Sequence, residues 1–393
     1  MTLKLFSSGS RKKEPFRSHR RGHVSIYVCG VTPYDTTHLG HAFTYLSFDV
    51  LIRYLKFKGF GVTYAQNVTD IDDDILSRAR QDGREWRELG RYWTEHYLND
   101  MKSLNIAMPD HYIKATDAIP MITRMISELL KGKHAYKSGG NVYFDVSSFP
   151  RYGELSHFSQ KQMAMLLKER GGNPGDPNKR NPLDFILWQK WKRGEPSWSP
   201  DFGRGRPGWH IECSAMIEQY LGDQIDIHGG GRDLIFPHHE SEIAQSESYT
   251  GKHPFVKYFV HTGTVMYMGE KMAKSLGNLV MVSELLKSHS PRAVRWLLLS
   301  HHYRKPWEYM ADDIYNADIY AKKVDKLMRG SGVYAERINK KLVSAFERVM
   351  DDDLDTPAAL DIIKVLLMNG KEKGTARYLL GILGFASANQ RAV

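Results

Sequence analysis

The chain has 393 residues, of which 41% are hydrophobic and 25% charged, a balance that excludes a disordered chain and fits two or three folded domains. No apolar run approaches the roughly 20 residues needed to span a bilayer, and the basic stretch 1–21 lacks the apolar core of a secretory leader, so no membrane partner is expected. The formal net charge of +10 suits a polyanionic partner, nucleic acid or ATP, and equally a solvated basic surface; with only Cys29 and Cys213 present, a cytoplasmic location is expected.

In chain order, residues 24–29 read as a β-rich strand ending at Gly30, followed by a turn-rich stretch and a helix over about 39–58. Gly59 and Gly61 close that helix, and 62–68 read as a second strand. This is a βαβ unit, and it predicts a Rossmann-like, doubly wound parallel sheet of α/β class. Helices follow over 86–104 and 120–131. Residues 139–207 are rich in loops, with a short strand at 141–146 and dense Gly and Pro at 171–177, which predicts an inserted connective segment. Strands return at 224–228 and 255–261. Helices are predicted at 314–328, 334–350 and 375–383. The implied organisation is a catalytic first half at 1–138, the insertion at 139–207, a second half at 208–307, and a helical domain at 308–393.

Two short motifs carry the chemistry. In His38-Leu-Gly-His41 the histidines lie about one turn apart at the start of the first crossover helix. Gly40 lets a ring or phosphate approach the backbone, while the helix N-terminus and the imidazoles favour phosphate oxygens. In Lys271-Met-Ala-Lys274-Ser275 two ammonium groups sit on a loop where they can clamp a triphosphate as pyrophosphate leaves. Either motif alone is commonly structural; the pair around a βα crossover is far more specific. Together they resemble the signature sequences of class I aminoacyl-tRNA synthetases, with Leu39 and Ala273 replacing the commoner isoleucine and serine. The resemblance implies ATP as substrate, accompanied by Mg²⁺, with His38, His41, Lys271 and Lys274 catalytic.

Cys29, Cys213, His238 and Glu242 form a second constellation, whose two thiols, imidazole and carboxylate suit zinc. His238 and Glu242, four apart, share one face of a helix. On spacing alone the cysteines are as readily inert core, and either His239 or Glu240 stands as an alternative ligand with Glu242 facing solvent. These four positions resemble the zinc ligands of cysteinyl-tRNA synthetases, which implies one Zn²⁺ per chain holding the thiol of substrate L-cysteine. Gly229 and Gly230, in the run before Asp233, would admit adenosine close to the backbone, and Asp233 would accept from ribose. Gly30, Thr69 and Trp209 are the candidate contacts for cysteine, Trp209 standing either near the zinc site or in the core. Asp70, Asp72 and Asp73 fit an acid-rich helix start better than a cation site.

Two acceptors fit the family. The segments 30–35, 80–86, 169–177 and 277–280 resemble the mycothiol-pathway ligase, which joins cysteine to the amine of glucosaminyl-inositol. The short tail after 351–357 leaves little chain for an anticodon-binding module, and this tips the expectation toward the amino sugar. Glu242, the segment 11–15 and the net charge resemble the cysteinyl-tRNA synthetases instead, because the mycothiol-type ligases lack a carboxylate at that position. A third alternative is an inactive nucleotide- or RNA-binding paralogue, favoured by Ala273 alone.

Overall fold

The computed structural model describes residues 2–35, 37–273, 276–329 and 338–386. An N-terminal antiparallel hairpin that sequence patterning does not reveal, β1 (Lys4–Ser7) and β2 (Lys12–Pro15), precedes the expected unit β3 (His23–Val31), α1 (Leu39–Phe57) and β4 (Gly61–Val68). Then come α2 (Asp73–Asp82), α3 (Trp86–Ser103), β5 (His111–Lys114) and α4 (Ile119–Lys131). The acids before α2 do begin a helix: Asp72 is its N-cap and accepts from the Asp74 amide, while Asp70 holds Thr116.

The insertion is more regular than its loop-rich composition suggests. β6 (Ala135–Ser138), β7 (Asn141–Phe144), β8 (Phe185–Lys190) and β9 (Gly205–Pro207) form one antiparallel sheet, with α5 (Gln160–Glu169) between β7 and β8. The second half returns with α6 (Trp209–Leu221), β10 (Ile225–Gly231), α7 (Glu240–Thr250) and β11 (Val256–Thr262). A small sheet of β12 (Val265–Tyr267), β13 (Glu270–Lys271) and β14 (Trp307–Glu308) frames the lysine loop, with α8 (Val282–Ser288) and α9 (Pro291–Leu299) between β13 and β14. The C-terminal helices are α10 (Ala311–Arg329), α11 (Lys340–Met350), α12 (Thr356–Asn369) and α13 (Lys373–Ile382). α12, capped by Asp355 and carrying Pro357 in its first turn, is a full helix where the sequence pattern suggested only a connection to the last one. The predicted start of the 334–350 helix lies outside the described residues.

The central sheet is parallel throughout, in the order β11-β10-β3-β4-β5. Chain order reverses between β3 and β10, and the crevice beyond the carboxyl ends of such strands is where open α/β sheets take ligands. β3 alternates its sides: Val24, Ile26 and Val28 pack with α1 and the C-terminal helices, whereas Tyr27 and Cys29 face the core shared with α4, α6 and the insertion. That period of two decides which face receives the Cys29 thiol.

Candidate active site

β3 delivers Cys29 to the α6 side of the sheet, and α6, starting at Trp209, presents Cys213 one turn into the helix. His238 lies two residues before α7 and Glu242 in its first turn. The Cys29 sulfur lies 3.9 Å from that of Cys213 and 3.7 Å from Glu242 Oε1, and His238 Nε2 is 3.1 Å from the same carboxylate oxygen. The four donor atoms lie within 4.8 Å of one another, all buried. Burial, reinforced by the neighbouring thiol, pushes the Cys29 thiol well up, and burial likewise raises Cys213. Two buried thiols that resist ionising alone, beside an imidazole and a carboxylate, form a donor set that a soft divalent cation satisfies, and zinc fits best. The two sulfur donors weigh against Mg²⁺ at this position.

Glu242 does not face solvent: it is 0% exposed and also accepts a 2.8 Å hydrogen bond from His228 Nε2. Glu240 is turned away, its carboxylate accepting from the amides of Gly153 and Ser156 in the insertion. His239 stays within reach, 3.3 Å from the Cys29 sulfur, and with His228 it completes an overlapping group of donors around Cys29 and Glu242. Trp209 is 40% exposed, so it is not core; its ring stacks on His238 with centroids 4.2 Å apart.

Cys29 also lines a cavity of about 550 Å³ whose other walls include Gly30, His38, His41, Asp233 and Lys271. His38 caps α1 by accepting from the Gly40 amide at 3.1 Å, and its ring stacks on His41 at 3.8 Å. Burial first, then the Lys271 charge, lowers His38 to about 4, and burial with the His38 neighbour holds His41 well below its ordinary value. Both rings are therefore neutral near pH 7 and each keeps one N–H to donate. Lys271 Nζ lies 2.8 Å from Asp233 Oδ2. Burial acts to raise the Asp233 carboxyl, but the adjacent ammonium outweighs it and the net shift is downward.

The segment after the lysine motif is pinned to the histidine motif through backbone: His38 bridges Met281, the Leu39 amide donates to Val280, and the Val282 amide donates to Thr37. Asn278, nearly buried, clasps the lysine loop by accepting from the Ala273 amide and donating to the Tyr267 and Lys271 carbonyls. Sequence patterning gave Asn278 no role, because a lone amide in a loop carries no periodic signal. Lys274 and Ser275 lie outside the described residues.

Residues 15–319 match the family described as tRNA synthetases class I (C) catalytic domain. The chain belongs to this family. It is an ATP-dependent ligase of the cysteine–tRNA ligase family, as its relatives also indicate. It is 45% identical to the cysteine–tRNA ligase of Legionella pneumophila (strain Paris), covering 98% of this chain and 85% of that one. It is 43% identical to the L-cysteine:1D-myo-inositol 2-amino-2-deoxy-alpha-D-glucopyranoside ligase of Thermobispora bispora, covering 92% and 89%. Among solved structures it shares the fold of Mycobacterium tuberculosis methionyl-tRNA synthetase in complex with methionyl-adenylate, with a TM-score of 0.65 at 16% identity over 92% of this chain and 89% of that one. Among the described residues no helix is long and apolar enough to cross a membrane.

At three of the expected site positions within this class I (C) site the structure shows other contacts. A Cβ on Gly229 would come 2.1 Å from the Phe48 ring of α1, and one on Gly230 would meet Leu234 in the turn after β10, so close packing accounts for both glycines, and neither lines the cavity. Gly231 does line it. Thr69 is buried and its hydroxyl donates to Glu212 while accepting from Asn67, so it organises the end of β4 instead of facing the cavity. Gly30 does reach the cavity, yet its missing side chain answers to the sheet: a Cβ there would fall 1.6 Å from the Asn67 carbonyl oxygen.

Proposed function

We propose that the protein activates L-cysteine with ATP to cysteinyl-adenylate, releasing pyrophosphate, and passes the cysteinyl group to the terminal ribose of tRNA-Cys. The observation that carries this acceptor, against the sequence expectation that leaned toward the amino sugar, is Glu242, buried between Cys29, His228 and His238; it is the carboxylate by which the sequence resembles the tRNA enzymes and differs from the amino-sugar ligases. The relatives named cysteine–tRNA ligase add support through similarity over 98% of the chain.

Cys29, Cys213, His238 and Glu242 would hold zinc, which when bound would take the substrate thiol and so separate cysteine from serine or alanine. Trp209 stacks on His238 and restricts its ring. Gly30 borders the space between this quartet and the histidine pair. At the N-terminus of α1, His38 and His41 would donate neutral N–H groups to the ATP phosphates, with Gly40 between them permitting close approach. Lys271, joined by Lys274, would meet the charge that develops on the leaving pyrophosphate, Mg²⁺ when bound would supply further positive charge to the phosphates, and Asp233 would take the ribose hydroxyls. The expected product is an ester of tRNA-Cys, formed from labelled cysteine and ATP at physiological salt.

A second acceptor, the amine of glucosaminyl-inositol, is favoured by the segments 30–35, 80–86, 169–177 and 277–280 and by similarity to the Thermobispora ligase. Offering both acceptors in parallel to the same enzyme decides between them. An amide of the amino sugar with no charged tRNA overturns the first choice and leaves cysteine activation standing. Absence of cysteine-dependent pyrophosphate exchange would leave the inactive paralogue instead.

A further inference from the structure

The two thiols of the quartet come from separate elements, β3 and α6, so their spacing depends on how those elements are held together. β3 changes register against β4 where Cys29 lies. Val28 pairs with Gln66 and Val31 with Val68, so Cys29 and Gly30 together oppose Asn67 alone. Such bulges are rare between parallel strands, and they re-aim a side chain beside a site. The Cys29 carbonyl at this bulge accepts from the Tyr45 hydroxyl at 3.1 Å, which fixes the peptide that follows the thiol.

A buried chain of hydrogen bonds runs from the bulge to α6. The Gly30 amide donates to Asn67 Oδ1 at 2.7 Å, Asn67 Nδ2 donates to the Thr69 hydroxyl at 3.2 Å, and that hydroxyl donates to Glu212 Oε2 at 3.2 Å. Asn67 and Thr69 are 2% exposed and Glu212 1%. Glu212 lies in the first turn of α6, immediately before Cys213. Each end of the chain is therefore one residue from a thiol of the quartet. The two sulfurs stand 3.9 Å apart. Two thiolates bonded to one tetrahedral zinc at about 2.3 Å each lie about 3.8 Å from one another. The pair is already held at the spacing that a single cation requires.

We propose that Asn67 and Glu212 are positioning residues for the quartet: through Thr69 they lock β3 to α6 at the separation that lets Cys29 and Cys213 share one cation. The inference rests on the zinc reading above. Neither residue belongs to the donor set; each acts through the backbone next to a thiol. Cutting the chain lets the two thiols drift apart, which weakens the hold on the cation and with it the selection of the substrate thiol. A network that only satisfied the polar groups at the end of β4 would leave metal binding unmoved.

Asn67→Ala and Glu212→Ala, with Glu212→Gln keeping an acceptor for the Thr69 hydroxyl, test this in the full chain. The probes are Zn²⁺ in competition with a chromophoric chelator, Co²⁺ for its sulfur-to-metal absorption band, and ATP–pyrophosphate exchange. Expected for each alanine variant are zinc binding weaker by about tenfold or more, a diminished sulfur-to-cobalt band, and a raised KM for cysteine with the KM for ATP unchanged, while Glu212→Gln stays within about threefold of the unmodified protein. Asn67→Asp, which keeps the bond from Gly30 and loses the donor to Thr69, is the milder cut for a variant that folds poorly, and it should show the same shifts in smaller size. Alanine variants that melt earlier yet keep the zinc affinity and cobalt band of the unmodified protein would make the chain structural only and overturn the proposal. Failure of the zinc reading is told apart from this: there the unmodified protein itself shows no sulfur-to-cobalt band, which overturns both.

Discussion

The two ends of the active cavity are built on opposite electrostatic plans. At one end Cys29, Cys213, His238 and Glu242 are buried, and burial drives both thiols toward their neutral forms. At the other, Lys271 and Asp233 are half-exposed and pair as full charges. Charge is costly in the first environment unless a cation compensates it, and cheap in the second, where water screens it. A site that selects a thiol needs the dry end; a site that handles a polyphosphate needs the wet one. The neutral histidine pair stands between them, with His38 taken down to about 4 by burial and by Lys271.

The largest expected effect comes from breaking the dry end. Cys213→Ser should take zinc content well below one per chain and lower cysteine-dependent pyrophosphate exchange by at least about 100-fold, since even partners outside the ligand set commonly cost 10–100-fold. Metal analysis and exchange on the same preparation check this, and full occupancy in the variant would remove Cys213 from the ligand set. Lys271→Ala attacks the wet end. It should slow adenylation by on the order of a hundredfold while leaving zinc content and cysteine affinity unchanged, because it meets charge that develops late. A loss of cysteine affinity instead would mean that the two ends are not separable.

Gly229→Ala sharpens the comparison at the sheet itself. Its new methyl must displace the Phe48 ring, so a stability loss of about 1–3 kcal/mol is expected in denaturant melts, with the KM for ATP unmoved. A shifted KM at unchanged stability would restore the glycine to the nucleotide. The smallest effect is in pH. His38 has a folded-state value near 4 against an ordinary 6.5, so between these the unfolded chain binds the proton that the folded one excludes. Its contribution to stability is complete above the unfolded value and lost as pH falls from 6.5 toward 4, a decline that a series of thermal melts across that range should reveal and that His38→Gln should make shallower, His41 and the other buried histidines keeping the rest. Exchange rates should change by less than about twofold between pH 7 and 8 on this account, since both rings are already neutral there.

Local patterning made much of this molecule legible. The β-rich run into Cys29, the helical period after His38 and the glycines that close it announce a βαβ unit, because strand and helix periods are set by nearest neighbours along the chain. Side-chain chemistry pointed to the paired histidines and lysines, because few residue types bind polyphosphate, whereas the metal quartet was picked out by resemblance to the cysteinyl-tRNA synthetases. What sequence could not supply was facing. Glu242 and Glu240 are two residues apart and equally acidic, yet one closes the quartet and the other ties down the insertion, a choice made by how α7 rolls against α6 and β3. The glycine run offered the same ambiguity: Gly229 answers to a ring on α1, and Gly231 alone of the three borders the nucleotide cavity. The chain of hydrogen bonds from Gly30 to Glu212 is invisible to periodicity for the same reason, since its members come from β3, β4 and α6. Residue type decided what chemistry was available; contacts between segments far apart in sequence decided which copies of it point into the site.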